Sequence, residues 1–150
     1  MNKVKISKLL VRIDGSEGSI RAFEFAKDLA LKYNSQIIAF TAFNIPDLYK
    51  IFKKKKEEDY NTVSIEEEIL KIKKLLADLY RKAKYEGLKL KTKFYDTDLS
   101  PDLAITEYAK TEGVDHIVIG SRGRSFENLF IGNTATSVVK KSNCSVTIIK

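Results

Sequence analysis

The stretch that decides the fold is IVIGSRGRSFENLFIGNT, residues 117–134. It opens on the apolar run Ile117–Ile119, which is typical of a buried strand, and it ends where a helical pattern begins. Three of the chain's seven glycines, Gly120, Gly123 and Gly132, lie between these elements. Glycine lets a ligand approach the backbone closely, and a helix start offers unpaired N–H groups and partial positive charge. The stretch therefore predicts a strand, a loop suited to an anion such as phosphate, and a helix.

Strand and helix patterns alternate through the rest of the chain. Short apolar runs predict strands over residues 7–13, 36–43, 116–119 and 145–149. The alternation of lysines with Leu, Thr and Phe predicts an edge strand over residues 88–94. Helical periodicity covers residues 20–33, 64–85, 101–113 and 134–141. This alternation predicts an α/β fold of Rossmann-like type, in which helices cover both faces of a mostly parallel sheet. Ligands bind such sheets beyond the carboxyl ends of the strands, where the strand order reverses.

Length and composition indicate one globular domain. The chain has 150 residues, of which 43% are hydrophobic and 31% charged, so a single domain over residues 1–150 is expected. Residues 44–62 are the least regular part, and we interpret them as a variable insert between the second strand and the second helix. No apolar run approaches the roughly 20 residues that cross a bilayer, and no signal-peptide core is present. We therefore expect a cytoplasmic protein without a membrane segment.

The charge and the metal-binding residue types narrow the function classes. The net charge of +7 favours anionic ligands. The densest basic run, Lys53–Lys56, is followed at once by three acidic residues, and aromatic and basic residues do not interleave as in single-strand-binding proteins, so nucleic acid is an unlikely partner. One cysteine, Cys144, and one histidine, His116, make a zinc site or a Cys–His catalytic pair improbable. We expect both to be structural.

The glycine-rich stretch closely resembles the nucleotide loop of the universal stress protein family. In this chain GSRGRS, residues 120–125, is followed after six residues by Gly132 and Asn133. ATP-binding members of the family carry G-x₂-G-x₉-G-[S/T] after the fourth strand. The segment Asp14-Gly15-Ser16 after the first strand and VVKKSNCSVTII, residues 138–149, also resemble the family. The resemblance spans the whole chain in length and element order.

The resemblance implies a fold, a ligand and an assembly. The implied fold is a five-stranded parallel sheet in the order 3-2-1-4-5, and the implied assembly is a homodimer through the last strand. The implied ligand is ATP or another adenine nucleotide, with Mg²⁺, in a crevice between the loops after strands 1 and 4. By position, the implied binding residues are Ile13, Asp14, Ala42, Ile119, Gly120, Arg122, Gly123, Gly132, Asn133 and Thr134.

Individual roles also follow from the resemblance. Asp14 would lie near the ribose or the phosphates and could contact Mg²⁺, and the backbone of Ala42 would meet adenine. The residues from Gly120 to Thr134 would surround the phosphates. On this view, a Gly120→Val substitution should crowd the phosphate and abolish binding.

Two departures from the family pattern lie in the loop. Eight residues, not nine, separate Gly123 from Gly132, and one residue spans up to about 3.3–3.6 Å of backbone. Asn133 stands where nucleotide binders have Ser or Thr. Asparagine is expected to cap the following helix and can donate its amide to a phosphate oxygen, but it has no hydroxyl.

Three hypotheses stay open at this point. The first is a regulatory module that binds an adenine nucleotide. The second is a nucleotide-independent dimeric interaction protein whose loop only connects strand and helix. The third is at most a very slow ATPase, because the sequence has no obvious general base besides Asp14 and no P-loop lysine motif. Asp14 itself has two interpretations, a ligand contact or a cap on the first helix, and Ser16 is more typical of a plain N-cap.

Overall fold

In the computed structural model, the described residues are 4–43, 65–122 and 131–150. They form five strands and four helices in strict alternation: β1 (Lys8–Arg12), α1 (Glu17–Tyr33), β2 (Gln36–Phe43), α2 (Ile65–Tyr85), β3 (Lys89–Asp96), α3 (Pro101–Thr111), β4 (His116–Gly120), α4 (Asn133–Lys141) and β5 (Ser145–Ile149). All four strand pairs are parallel, and the sheet order is β3-β2-β1-β4-β5. The α/β fold class and the strand order are confirmed. The insert at 44–62, and Gly123 of the loop, lie outside the described residues.

Local chemistry explains where the helices begin and end. The helix α1 starts at Glu17, three residues before the predicted start, because the Ser16 hydroxyl accepts the backbone N–H of Ser19 as an N-cap. It ends at Asn34, which adopts the left-handed conformation with φ 53°. Gly87 follows α2 with φ +76°, as expected of a glycine that terminates a helix.

Three of the predicted strands have boundaries that differ from the structure by one or two residues. Of these, β4 is one residue longer than predicted and ends at Gly120, and β3 begins one residue later, at Lys89. The strand β1 is shorter than predicted by one residue at each end, since its register with β2 covers only Lys8 to Arg12. The strand β3 extends two residues further than predicted, to Asp96, because it stays in register with β2 as far as the pair Phe43 and Asp96.

The sheet separates two apolar layers. The helices α1 and α2 cover one face, where the buried side chains are Leu9, Val11, Ile13, Ala22, Phe23, Ala26, Ala30, Ile37, Ala39, Ile72, Leu76, Leu79 and Val118. The helices α3 and α4 cover the other face, where they are Leu10, Ile38, Phe40, Ala104, Ile105, Ala109, Val114, Ile117, Ile119, Ala135 and Val138. Strands β1, β2 and β4 are therefore buried on both faces, which explains why they appear as continuous apolar runs.

The strand order places the reversal point between β1 and β4. From β1 the chain crosses to β2 on one side, and from β4 it crosses to β5 on the other. The strands β1 and β4, where the order reverses, therefore end side by side at the carboxyl edge of the sheet, which is where ligands bind in folds of this class. Among the described residues, no helix has the length and apolar character needed to span a membrane.

Candidate functional site

The turn between β1 and α1 is organised by Asp14. One carboxylate oxygen of Asp14 accepts the backbone N–H of Ser16 at 2.9 Å and also the Ser16 hydroxyl. The other oxygen lies 3.4 Å from a guanidinium nitrogen of Arg12. The Asp14 side chain is largely buried. Asp14 thus fixes the turn, while Ser16 caps α1 with its hydroxyl 3.1 Å from the Ser19 nitrogen. The interpretation of Ser16 as an N-cap is confirmed.

The first turn of α1 lies directly against the end of β4. A Cβ on Gly120 would lie 2.9 Å from the carbonyl carbon of Gly18. A Cβ on Gly18 would lie 2.9 Å from the carbonyl oxygen of Arg122. Real Cβ atoms essentially never approach backbone atoms this closely, so both positions require glycine. The close approach fixes where the chain leaves β4 relative to the start of α1.

The start of α4 is anchored to the same point. Ser121 donates its backbone N–H to the carbonyl of Ile149 at 2.7 Å and accepts the N–H of Gly132 at 2.5 Å. Gly132 is the N-cap of α4. The prediction that Asn133 caps this helix was wrong, because Asn133 is already its first residue. Gly132 makes no side-chain cap hydrogen bond.

Two of the predicted binding residues are buried in the core. The side chains of Ile13 and Ile119 are at most 1% exposed and pack on opposite faces of the sheet. The backbone of Ile13 is also engaged, because its N–H donates to the carbonyl of Phe40 and its carbonyl accepts the Thr41 hydroxyl at 2.7 Å. The structure therefore leaves neither side chain open to a ligand, and both backbone polar groups of Ile13 already have partners.

The remaining predicted residues lie along the carboxyl edge of the sheet. Ala42 is half-buried and lies two residues beyond Phe40, the last β2 residue in register with β1. Arg122 and Asn133 are exposed, and Thr134 is half-buried. Gly123 lies outside the described residues. The fold thus brings the end of β1, the end of β4 and the start of α4 together, with Ala42 one strand away.

The described residues supply few metal-ligating side chains at this edge of the sheet. Nowhere in the described ranges do three or more His, Cys, Asp or Glu side chains form a group that could hold a metal. At the ends of β1 and β4, Asp14 supplies one carboxylate. This donor set fits Mg²⁺ only in the manner of an ion that takes most of its ligands from water and from the phosphates it accompanies.

The sequence interpretation missed two residues of this site. Neither Gly18 nor Ser121 was among the residues expected to form the site. The sequence shows only that Gly18 lies beside a helix start. The packing of α1 on β4 shows why a side chain does not fit there. No sequence pattern marks Ser121, whose role is to bridge Ile149 and Gly132 through its backbone.

Comparison with known proteins identifies the family. The universal stress protein family model matches residues 5–150. The chain belongs to the universal stress protein family. Universal stress protein YxiE of Bacillus subtilis is 29% identical over 153 aligned positions, which cover 96% of this chain and 99% of YxiE. Universal stress protein MJ0531 of Methanocaldococcus jannaschii is 25% identical over 146 positions, which cover 95% of this chain and 81% of the relative.

Solved structures share the fold of this universal stress protein. The hypothetical protein MJ0577 superposes with a TM-score of 0.78 at 22% identity, over 98% of this chain and 97% of the other. A universal stress protein from Archaeoglobus fulgidus in complex with dAMP gives 0.68 at 19% identity, over 99% and 100%. An Arabidopsis thaliana universal stress protein family protein with AMP bound gives 0.65 at 20% identity, over 96% and 91%.

Proposed function

We propose that this universal stress protein is a regulatory module that binds an adenine nucleotide, with ATP as the first candidate, between the loops after β1 and β4. The observation that carries the proposal is the convergence of two helix starts on the end of β4. Gly18 of α1 meets Gly120 and Arg122, and Gly132 of α4 meets Ser121. Two helix N-termini directed at one crevice favour an anionic ligand.

The phosphates are assigned to the start of α4. The N-cap residue of this helix, Gly132, makes no side-chain cap hydrogen bond to its first turn. The exposed side chains of Arg122 and Asn133 flank the N–H groups of that turn and add a fixed positive charge and an amide donor. Asn133 lacks the hydroxyl of Ser or Thr, so the grip on phosphate relies on the backbone and on Arg122.

The sugar and the base are assigned to the β1 and β2 side of the crevice. Asp14 offers a carboxylate next to the helix starts, where it could accept a ribose hydroxyl or share an Mg²⁺ ion with the phosphates. The backbone of Ala42 lies beyond the β1 register and is assigned to the base edge. The bound dAMP and AMP in two proteins of this fold support adenine as the base.

The proposal includes a homodimer through β5. This strand is an edge of the sheet and carries the sequence SVTII, which has no charged residue. The carbonyl of Ile149 points towards β4, since it accepts the Ser121 N–H. Backbone groups alternate in direction along a strand, so the N–H groups of Val146 and Ile148 face outward and can pair with a second copy.

A calorimetric titration of the full chain with ATP, ADP and AMP, with and without Mg²⁺, tests the nucleotide proposal. We expect saturable binding, and mass spectrometry of small molecules released from freshly purified protein should then find an adenylate. No saturable heat at millimolar nucleotide would leave the nucleotide-independent interaction protein as the function. Dimerisation is tested separately by sedimentation equilibrium, where a Val146→Pro variant, which lacks one outward N–H, should be largely monomeric.

A further inference from the structure

The strand β3 forms the sheet edge opposite β5. Its eight residues, Lys89–Asp96, pair one to one with Gln36–Phe43 of β2, without a bulge. Among the described residues no strand pairs with its other side. Eight residues at about 3.3 Å each give an edge of about 26 Å. Such an edge presents a row of outward N–H and C=O groups, which is a template for another strand.

Lysines occupy every second position of β3 from Lys89 to Lys93, with Leu90 and Thr92 between them, and the strand ends in Phe94, Tyr95 and Asp96. Lys89, Lys91 and Lys93 share one face because successive side chains of a strand point to opposite faces. Leu90 and Phe94 share the other face and pack, partly buried, against the core under α1 and α2. A strand added at this edge would therefore meet lysines on one face and apolar side chains on the other.

The positive charge of this edge is only partly compensated. Lys91 lies 3.7 Å from a carboxylate oxygen of Glu112 in an exposed pair, which contributes little. In the part of the chain that the structure describes, Lys89 and Lys93 form no salt bridge. On the apolar face, the ammonium of Lys73 lies 5.0 Å from the centre of the Phe94 ring and adds a further cation.

These charges decide which strand can bind. If β3 paired with β3 of a second copy, lysines would face lysines, and like charges opposite each other are destabilising. The uncharged β5 has no such obstacle, so the two edges differ in the partners they allow. The lysines that block self-pairing favour an acidic strand, which combines attraction to one partner with exclusion of another.

We propose that β3 accepts an extended acidic segment of a partner protein as a sixth strand. The segment carries Asp or Glu at every second position, facing Lys89, Lys91 and Lys93, and apolar residues between them, beside Leu90 and Phe94. This surface is distinct from the nucleotide crevice, and its occupancy does not depend on nucleotide binding.

The aromatic residues nearby favour a peptide over nucleic acid. Single-stranded nucleic acid would need ring faces that are free to stack on bases. Tyr95 and Tyr108 are half-buried, and Tyr108 stacks on the buried ring of Phe40 with centroids 4.8 Å apart. The ammonium of Lys93 lies 5.7 Å from the centre of the Tyr95 ring. These rings pack against protein groups, whereas the backbone edge of β3 fits a strand.

Fluorescence anisotropy with the full chain tests the proposal. The probe is a short labelled peptide that alternates Glu with Val, and its control is a peptide of the same composition with the Glu residues contiguous. The test variant is Lys89→Glu with Lys93→Glu. The matched control is Lys71→Glu with Lys74→Glu on the exposed side of α2, which changes the net charge equally. Thermal unfolding checks that each variant is folded, and Lys89→Gln with Lys93→Gln replaces the test variant if it is not.

We expect the alternating peptide to bind more tightly than the contiguous one, and the Lys89/Lys93 reversal to weaken it roughly tenfold or more. The α2 control should stay within about twofold, and proline at the centre of the peptide should abolish binding because it removes a ladder donor. If both peptides bound equally, or both double variants had equal effects, binding would be due to non-specific electrostatic attraction. Either result would overturn the proposal. Tighter binding of single-stranded RNA at the same lysines would overturn it in favour of nucleic acid, and absence of peptide binding at millimolar concentration would also overturn it.

Discussion

The backbone of Gly18 lies so close to Gly120 that a Cβ on Gly120 would fall 2.9 Å from the Gly18 carbonyl carbon. Position 120 therefore requires glycine for a packing reason that the sequence did not show. By the family resemblance, Gly120→Val is expected to abolish binding because the valine crowds a phosphate. The fold offers another reason for such a loss, because the valine would first displace the start of α1. Loss of binding in this variant therefore cannot identify a phosphate contact.

Alanine at position 120 should destabilise the fold. We expect Gly120→Ala to lower the free energy of unfolding by about 1–3 kcal/mol, since the added methyl overlaps backbone that cannot easily move. The matched change is Gly132→Ala, where φ is −66° and the nearest atom to the new Cβ is 3.2 Å away. It should cost clearly less. Urea unfolding of both variants measures the difference, and equal losses would contradict the packing argument.

For Gly18→Ala, the contact with β4 predicts the sign of the change in the free energy of unfolding. Replacing a helical glycine by alanine usually stabilises a helix by up to about 1 kcal/mol. Here the new Cβ would lie 2.9 Å from the Arg122 carbonyl oxygen, so we expect net destabilisation in the same urea experiment. A stabilised variant would show that the end of β4 can yield to the start of α1.

Asn133→Asp separates nucleotide binding from stability. A carboxylate at the first position of α4 interacts favourably with the helix dipole, by about 0.3–1 kcal/mol, but repels phosphate. We expect nucleotide affinity to fall by roughly tenfold while the unfolding temperature without nucleotide is unchanged or higher. Asn143→Asp adds the same charge beyond the other end of α4 and should leave affinity within about twofold. Equal affinity in both variants would place the phosphates elsewhere.

Asp102 should make stability depend on acid pH. Partial burial raises the pKa of this carboxyl, but hydrogen bonds from Lys141, Ser137 and Ser100 outweigh it and hold the pKa well below its ordinary value of 3.8. The bonds to Ser137 and Lys141, each 2.6 Å, tie α3 to α4. Because the folded pKa is depressed, the stabilisation is complete above the unfolded pKa and is lost as the pH falls below about 3.8.

The corresponding variant is Asp102→Asn. We expect it to lose about 1 kcal/mol at pH 7, with the difference from the native chain shrinking at pH 3. Glu107→Gln, at an exposed position on the same helix, should show no such pH-dependent difference. A loss from Asp102→Asn that is the same at both pH values would mean that the carboxylate charge is not responsible.

His116 should make the stability of the fold depend on pH near neutrality. Burial lowers its pKa below the ordinary 6.5, against the opposing influence of Asp115, and its Nε2 lies 2.6 Å from the Thr147 hydroxyl on β5. The unfolded chain then binds more protons than the folded one, so stability should decrease as the pH falls through and below 6.5. The chain has one histidine, so its ring signal in an NMR titration is unambiguous. A midpoint at or above 6.5 would contradict the expectation.

The sequence by itself determined the element order, the parallel sheet and the location of the glycine-rich connection. Hydrophobic periodicity carried this information. A strand buried on both faces, such as β4, is a continuous apolar run, and a helix buried on one face, such as α2, has apolar residues at helical spacing. The family resemblance added the strand order. Boundaries were less certain, because Ser16 starts α1 earlier, and Gly132 rather than Asn133 caps α4.

Only the tertiary structure decided what the site residues do. The partners of Asp14 are local, Arg12 and Ser16, but the burial of Ile13 and Ile119 in the core comes from the packing of helices on the sheet. The purpose of Gly18, Gly120 and Gly132 depends on atoms distant in sequence that approach within about 3 Å. Side-chain periodicity is set by each segment and is visible in the sequence, whereas close backbone contact between segments exists only once the sheet and its helices have packed.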